Sequence, residues 1–224
     1  MSITRDELLS TCKTGDLLLF NTRTHWYDFI IEKFTKSKFS HVGMIVRDIK
    51  CGKCSDIGVC MLESGYEGFP DVVENKQIYG VQLADLDKVL SCYGGGGRSG
   101  YVYYRKLNCL RGKSFDKTTQ KKIEPVYGKP YDLLPQDWLK SAFDIEKGNE
   151  RRTGTFWCSA LVAYMYDQYG FIDQHTPWTI IQPTQFSYYE GKQLPLIEQI
   201  TLEPEVNVVR TGPVPGLVIV ISPL

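Results

Sequence analysis

The residue of this chain best suited to chemistry is Cys158, which lies where a predicted helix begins. The helix is predicted over 156–169, because apolar residues recur at a spacing of four and Gly170 follows as a natural stop. A thiol at a helix start lies near the positive end of the helix dipole, which stabilises the nucleophilic thiolate. Cys158 would therefore serve a hydrolase or transferase if a histidine reached it; the alternative is a buried, inert cysteine.

The search for a general base is short, because the chain has only three histidines. His41 lies in the strand-like segment 40–46, where alternation can point one side chain into a cleft. The alternative for His41 is a half-buried histidine whose hydrogen bonds are all satisfied. His25, at a turn-to-helix junction, and His175, in a proline-rich loop, are predicted to face solvent. His41 is therefore the candidate base.

Two further residues could complete a catalytic site. Glu63 ends a predicted strand, and a carboxylate there could accept the N–H of a neighbouring imidazole and set its tautomer. Tyr131 lies in the turn-like segment 128–132 and could donate its hydroxyl to a developing oxyanion. The plain alternatives are an ordinary strand-edge carboxylate for Glu63 and a packed aromatic ring for Tyr131.

Cysteines also raise the question of a metal. Cys51 and Cys54 form a Cys-x-x-Cys pair with Cys60 close by, as in the first half of many zinc sites. No second pair follows at a useful spacing, so a hairpin turn with incidental cysteines is favoured. A redox role would need a helix start after a strand, which this segment lacks. We therefore expect neither a metal nor an organic cofactor.

The elements that must position these residues alternate along the chain in short pieces. Strands are predicted at 16–20, 40–46, 59–64, 79–83, 100–107 and near the C-terminus at 216–222. Helices are predicted at 26–34, 85–92, 156–169 and 115–127, the last broken around Pro125. Loops are predicted at the glycine run 94–97 and at the polar stretch 144–154. This pattern predicts one α+β domain over residues 1–224, with an antiparallel sheet and packed helices.

The composition of the chain argues against several classes of function. The chain has 224 residues and a formal net charge of zero, which argues against nucleic acid as the main partner. No apolar run approaches the length of a membrane span, and residues 1–15 show no export signal. The seven cysteines are odd in number and scattered, which favours reduced thiols in a cytoplasmic setting. Nothing in the sequence indicates the oligomeric state.

Five local motifs in a fixed order resemble a known family. They are 15–20 (Gly-Asp-Leu-Leu-Leu-Phe), 40–43 (Ser-His-Val-Gly), 62–64 (Leu-Glu-Ser), 127–132 (Tyr-Gly-Lys-Pro-Tyr-Asp) and 156–162 (Phe-Trp-Cys-Ser-Ala-Leu-Val). In this order they look like the circularly permuted NlpC-like hydrolases of the papain fold, with YiiX-type and poxvirus-type members closest in pattern. The resemblance spans about 14–190 and is interrupted by long unmatched stretches.

The resemblance implies a permuted papain-like fold, with an antiparallel sheet or small barrel packed against helices. The strands that carry the histidine and the third polar residue come first, and the cysteine helix comes last. By this match Cys158 is the nucleophile, His41 the base, Glu63 its orienting partner and Tyr131 an oxyanion donor. The stretch between Tyr131 and Cys158 is longer than in compact bacterial members of that family.

The expected activity is attack on an acyl carbon through an acyl-thioester intermediate, as in a peptidase or amidase. A lipid acyltransferase or phospholipase-like thioester enzyme is the first alternative, so the expected substrate is a peptide, an amide or a lipid acyl group. A non-enzymatic module that binds zinc through Cys51, Cys54 and Cys60 is the second alternative. The poxvirus-type resemblance keeps a virion-associated location open beside the cytoplasmic one.

Overall fold

The structure, a computed structural model, describes residues 1–22, 38–50, 57–93, 100–131, 156–173, 175–190 and 192–209. Several predicted features lie outside these residues: the helix 26–34 with His25, the pair Cys51 and Cys54, the loops 94–97 and 144–154, and the strand 216–222. The remaining predictions can be compared with the elements that the chain forms.

A mostly antiparallel sheet is the centre of the described structure. The strands are β1 (Ser2–Thr4), β2 (Leu17–Thr22), β3 (His41–Arg47), β4 (Val59–Gly65), β5 (Gly80–Asp85), β6 (Gly100–Arg105), β7 (Leu107–Asn108), β8 (Thr201–Leu202) and β9 (Val206–Val209). Seven strands form one sheet in the order β1-β9-β6-β2-β3-β4-β5, in which only the β1–β9 pair is parallel. β7 and β8 pair separately. Over the described residues the sheet stays open, so the small barrel is wrong and the antiparallel sheet is confirmed.

The described part of the chain contains four α-helices. They are α1 (Arg5–Thr11), α2 (Leu86–Cys92), α3 (Lys113–Ile123) and α4 (Cys158–Gln168). α4 ends as predicted: Gly170 adopts φ 72°, its N–H bonds Asp167 O, and Phe171 N–H bonds Tyr166 O. These two bonds form a Schellman motif. Among the described helices, none is long and apolar enough to cross a bilayer.

The boundaries differ from the predicted ones where the chain turns. The helix predicted over 115–127 breaks near Pro125 as expected: it ends at Ile123, and Tyr127 N–H turns back to Ile123 O. The strand predicted to reach residue 107 stops at Arg105, whose buried guanidinium donates to the carbonyls of a distant segment. The elements β1, α1, β8 and β9 are absent from the sequence-based prediction, because each is too short to show a clear periodicity.

The sheet separates two apolar clusters. The first includes Leu19, Met44 and Leu62 from the strands and is covered by apolar residues of α4 such as Leu161. The second includes residues that alternate with those, Phe20, Ile45 and Met61, and is covered by Leu8 of α1 and Leu86 of α2. Successive strand residues point to opposite faces, so each central strand is buried on both sides.

Candidate active site

His41 and Glu63 meet at one end of the central strands. His41 is the first residue of β3, and Glu63 lies near the end of the neighbouring antiparallel strand β4. The Nε2 atom of His41 is 2.6 Å from Oε2 of Glu63, whose side chain is fully buried, whereas that of His41 is 14% exposed. A carboxylate in this position accepts the Nε2–H and leaves Nδ1 of His41 for a second partner.

The second partner of His41 is Cys158. Its side chain is buried, it is the first residue of α4, and it interacts electrostatically with the imidazole of His41. Burial alone would lower the pKa of His41, but the neighbouring Cys158 and then Glu63 outweigh it and raise this pKa well above its ordinary value. The arrangement favours an imidazolium beside a sulfur atom, which is the state that a thiolate nucleophile requires.

Short contacts from the strands fix the start of α4. Ser64, the neighbour of Glu63 on β4, donates its hydroxyl to Phe156 O at 2.6 Å. Phe156 N–H in turn donates to Pro130 O at 3.2 Å. One residue into the helix, Ser159 donates its hydroxyl to Ile181 O at 2.8 Å. Ser64 therefore ties the end of β4 to the segment that leads into α4, and Ser159 ties the first turn of α4 to the chain at Ile181.

Tyr131 lies beside the same segment. It forms a parallel bridge with Phe156, two residues before Cys158, and its ring packs 5.4 Å from that of Tyr79. The side chain is buried. The main chain at Tyr131 is thus adjacent to the start of α4, while the oxyanion role of its hydroxyl stays a prediction. The first N–H groups of a helix have no partner inside the helix, so α4 itself offers donors for an oxyanion.

Gln82 is a member of this site that sequence reasoning missed. It lies on β5 directly opposite Glu63, and its Nε2–H donates to Oε1 of Glu63 at 2.9 Å. Both side chains are buried. The available signal was one polar residue between two apolar strand residues, Val81 and Leu83, which marks a buried polar group that needs a partner.

Gly65 is a second residue that sequence reasoning missed. A Cβ atom at this position would lie 3.1 Å from Oε2 of Glu63 and 3.3 Å from Cε1 of His41. Both distances are tighter than ordinary van der Waals contact. Only glycine therefore lets the end of β4 pass over the His41–Glu63 pair without pushing on it.

Three residues at the site could together hold a cation. The potential ligand atoms of His41, Glu63 and Glu67 lie within 4.8 Å of one another, and Glu67 is buried. One imidazole and two carboxylates are a ligand set that Zn²⁺ accepts. Ligation through Nε2 of His41 would, however, replace its hydrogen bond to Glu63. The zinc site predicted as an alternative at Cys51, Cys54 and Cys60 stays a prediction, because Cys51 and Cys54 lie outside the described residues. The thiol of Cys60 is buried and donates to Ile57 O at 2.9 Å.

Comparison with known proteins adds a structural likeness. No family model and no curated protein matches the chain. A solved structure, "Crystal structure of metalloprotein yiiX from Escherichia coli O157:H7, DUF1105", superposes with a TM-score of 0.45 and 16% sequence identity. The match covers 86% of this chain and 97% of that chain. A likeness of this size carries no argument about the family, and the permuted papain-like fold stays a prediction.

Proposed function

We propose that this chain is a cysteine hydrolase that attacks an acyl carbon. The observation that carries the proposal is that the buried Glu63 contacts Nε2 of His41, while Cys158, at a helix start, acts electrostatically on the same imidazole. A nucleophile, a base and a group that orients the base are the three parts of a nucleophilic acyl-transfer site. The strands that carry His41 and Glu63 precede the helix of Cys158, so the proposed fold is papain-like with permuted order.

The reaction proceeds in two halves. His41 first takes the thiol proton and becomes the imidazolium. Cys158 Sγ then forms a bond to the acyl carbon as the carbonyl π bond breaks, and the carbonyl oxygen gains a negative charge. N–H groups at the start of α4, with the Tyr131 hydroxyl, stabilise this oxyanion. The tetrahedral intermediate collapses, the imidazolium of His41 returns the proton to the leaving amine, and an acyl-thioester remains. Water then gives its proton to His41, attacks the thioester and releases the acid and the free thiol.

Glu63 keeps the imidazole in the tautomer that this sequence of proton transfers needs. With Nε2–H held by Glu63, Nδ1 is the nitrogen that exchanges the proton with Cys158. The negative charge of Glu63 also stabilises the imidazolium that forms in each half-reaction. A peptide or amide is the proposed substrate, because the leaving amine needs the proton that this imidazolium supplies.

Relative thiol reactivity tests the proposal. Labelling with iodoacetamide near neutral pH, followed by peptide mapping, should modify Cys158 faster than the more accessible Cys92 and Cys109. A reactivity order opposite to the exposure order is expected only if His41 activates the buried thiol. His41→Ala is the matched control and should slow Cys158 alone. Equal rates at all cysteines, indifferent to His41→Ala, would end the proposal.

A substrate panel then identifies the acyl group. The native protein is incubated with peptide, simple amide and ubiquitin-like substrates and, separately, with phospholipid vesicles. Cleavage of peptides or amides that disappears in Cys158→Ala supports the proposed substrate class. Turnover of phospholipid without peptide cleavage would replace it with the acyltransferase or phospholipase-like alternative.

A metal-binding protein is the second candidate function, favoured by the cluster His41, Glu63 and Glu67. Zinc bound to these residues would occupy the base, so stoichiometric zinc together with an unreactive Cys158 would support this candidate. Elemental analysis of native protein and of Glu67→Gln separates the possible sites. Zinc lost in Glu67→Gln belongs to the cluster, whereas zinc that remains would belong to cysteines such as Cys60.

A further inference from the structure

The two carboxylate oxygens of Glu63 have different partners. Oε2 contacts Nε2 of His41 at 2.6 Å, and Oε1 accepts from Nε2 of Gln82 at 2.9 Å. Glu63 has no exposed surface and Gln82 is 1% exposed. Without water, a buried carboxylate depends on protein donors to stay ionised and in one rotamer. The amide of Gln82 is such a donor, and it does not titrate.

The strand β5, which carries Gln82, is held by backbone hydrogen bonds at both of its edges. On one side Gln82 pairs with Glu63 in the β4–β5 register. On the other side the residue before it, Val81, donates its N–H to Lys129 O at 2.8 Å and accepts from Gly128 N–H at 2.9 Å. A side chain on a strand fixed in this way can place its amide more precisely than one on a loop.

We propose that Gln82 is a positioning residue that holds the Glu63 carboxylate and, through it, the orientation of the His41 imidazole. This inference rests on the proposed function for its catalytic meaning. Its effect on His41, by contrast, can be measured without any substrate. The charged or titratable groups that face His41 among the described residues are Cys158, Glu63 and Glu67, so changes at Gln82 act on His41 through Glu63.

Removal of the amide is the first test. Gln82→Met keeps a similar volume but has no donor, so the ionised form of Glu63 loses one of its two hydrogen bonds. We expect the pKa of His41, followed by NMR titration and assigned with His41→Gln, to fall relative to the native protein. We also expect kcat, or the labelling rate of Cys158, to fall roughly 10- to 100-fold with KM little changed.

A conservative replacement gives a signature that loss of packing cannot imitate. In Gln82→Glu, two carboxylates at hydrogen-bonding distance share a proton at acidic pH, and the protonated one can donate to Glu63 as the amide did. We expect labelling of Cys158 to approach the native rate at about pH 5 and to fall below that of Gln82→Met at about pH 8. This pH-dependent rescue requires direct contact with Glu63.

A double-mutant cycle isolates the contact. Gln82→Met should have little further effect on the His41 titration in a Glu63→Gln background, because the positioned carboxylate is already gone. Additive effects in folded variants, or a native His41 titration in both Gln82 variants, would overturn the inference. If Gln82→Met does not fold, the pH profile of Gln82→Glu decides in its place. An unreactive Cys158 in the native protein would refute the proposed function and leave the His41 titration as a valid test.

Discussion

Two carboxylates, those of Asp16 and Glu63, are buried to the same degree but accept hydrogen bonds from different kinds of donor. Each is almost completely removed from solvent, and each accepts hydrogen bonds on both oxygens. The donors to Asp16 are the backbone N–H groups of Lys13 and Leu107, the hydroxyl of Tyr104 and the guanidinium of Arg111, at 2.7–2.9 Å. The donors to Glu63 are the amide of Gln82 and the imidazole of His41.

The difference lies in what the donors can do. Every donor to Asp16 keeps its proton near neutral pH: Arg111 is a permanent cation, and burial followed by the charge of Asp16 raises the pKa of Tyr104 far above its ordinary value. His41, in contrast, can give and take a proton beside a thiol. A saturated carboxylate with fixed donors stabilises the fold, whereas one that faces a titratable partner can support chemistry. The predictions below separate these two roles.

Loss of the nucleophile should have the largest effect. Cys158→Ala is expected to lower the hydrolysis rate roughly 10⁶-fold, because no other group can form the thioester. Its free energy of unfolding should change by only about 1 kcal/mol. Cys60→Ala is the matched control, since this thiol is also buried but donates its hydrogen bond to Ile57 O. Steady-state rates and denaturant unfolding measure both quantities; comparable activity loss in both variants would contradict the assignment.

Removal of the charge at Glu63 should follow. Glu63→Gln is expected to lower kcat by about 10⁴-fold, as an amide in place of a triad carboxylate selects the wrong imidazole tautomer. Labelling of Cys158 at near-neutral pH should slow in parallel. Kinetics and peptide mapping on the folded variant provide the measurement. If Glu63→Gln unfolds the protein and leaves the chemistry of the folded fraction intact, Glu63 resembles Asp16 and the contrast disappears.

The corresponding change at Asp16 should affect stability instead. Asp16→Asn removes the charge that pairs with Arg111 and is expected to lower the free energy of unfolding by about 3–5 kcal/mol. Denaturant titration measures this loss. The Cys158 labelling rate, corrected for the folded fraction, should equal that of the native protein. A direct loss of thiol reactivity in folded Asp16→Asn would show that the two carboxylates are coupled.

The smallest expected effect is the pH dependence of stability. Because the folded-state pKa of His41 is raised above 6.5, its charged form stabilises the fold fully below that pH, and the contribution is lost as pH rises through the raised value. The difference in unfolding free energy between native protein and His41→Gln should therefore shrink toward alkaline pH. For Arg111→Gln, the same difference should stay constant between about pH 6 and pH 9. Parallel curves for the two variants would contradict the comparison.

Much of the local structure could be predicted from residue patterns. The apolar spacing and Gly170 indicated α4, and the apolar runs located β2, β3 and β4 to within a few residues. Pattern reasoning failed where elements were short, as in β1 and β9, or where a long-range contact ended an element, as at Arg105. Periodicity is a local property, and these boundaries depend on partners far along the chain.

The residues of the candidate site also fall into two groups, those that the sequence alone could identify and those that it could not. Cys158, His41, Glu63 and Tyr131 could be selected by residue type and local position, because a thiol, an imidazole, a carboxylate and a phenol each have chemistry of their own. Gln82 could not be selected in this way, since a glutamine in a strand has no chemistry of its own. Its importance depends on the carboxylate opposite, which strand pairing alone defines.

The sequence by itself therefore determined which groups are available: one cysteine at a helix start, one histidine in a strand, and the helix and strands that carry them. Only the tertiary structure decided that Glu63 lies 2.6 Å from His41, that Gln82 completes its hydrogen bonds, and that Asp16 is saturated by fixed donors. The physical reason is that residue type and periodicity act over a few residues. Burial and hydrogen-bond geometry instead come from pairing between strands and packing of α4 on the sheet, which join positions far apart along the chain.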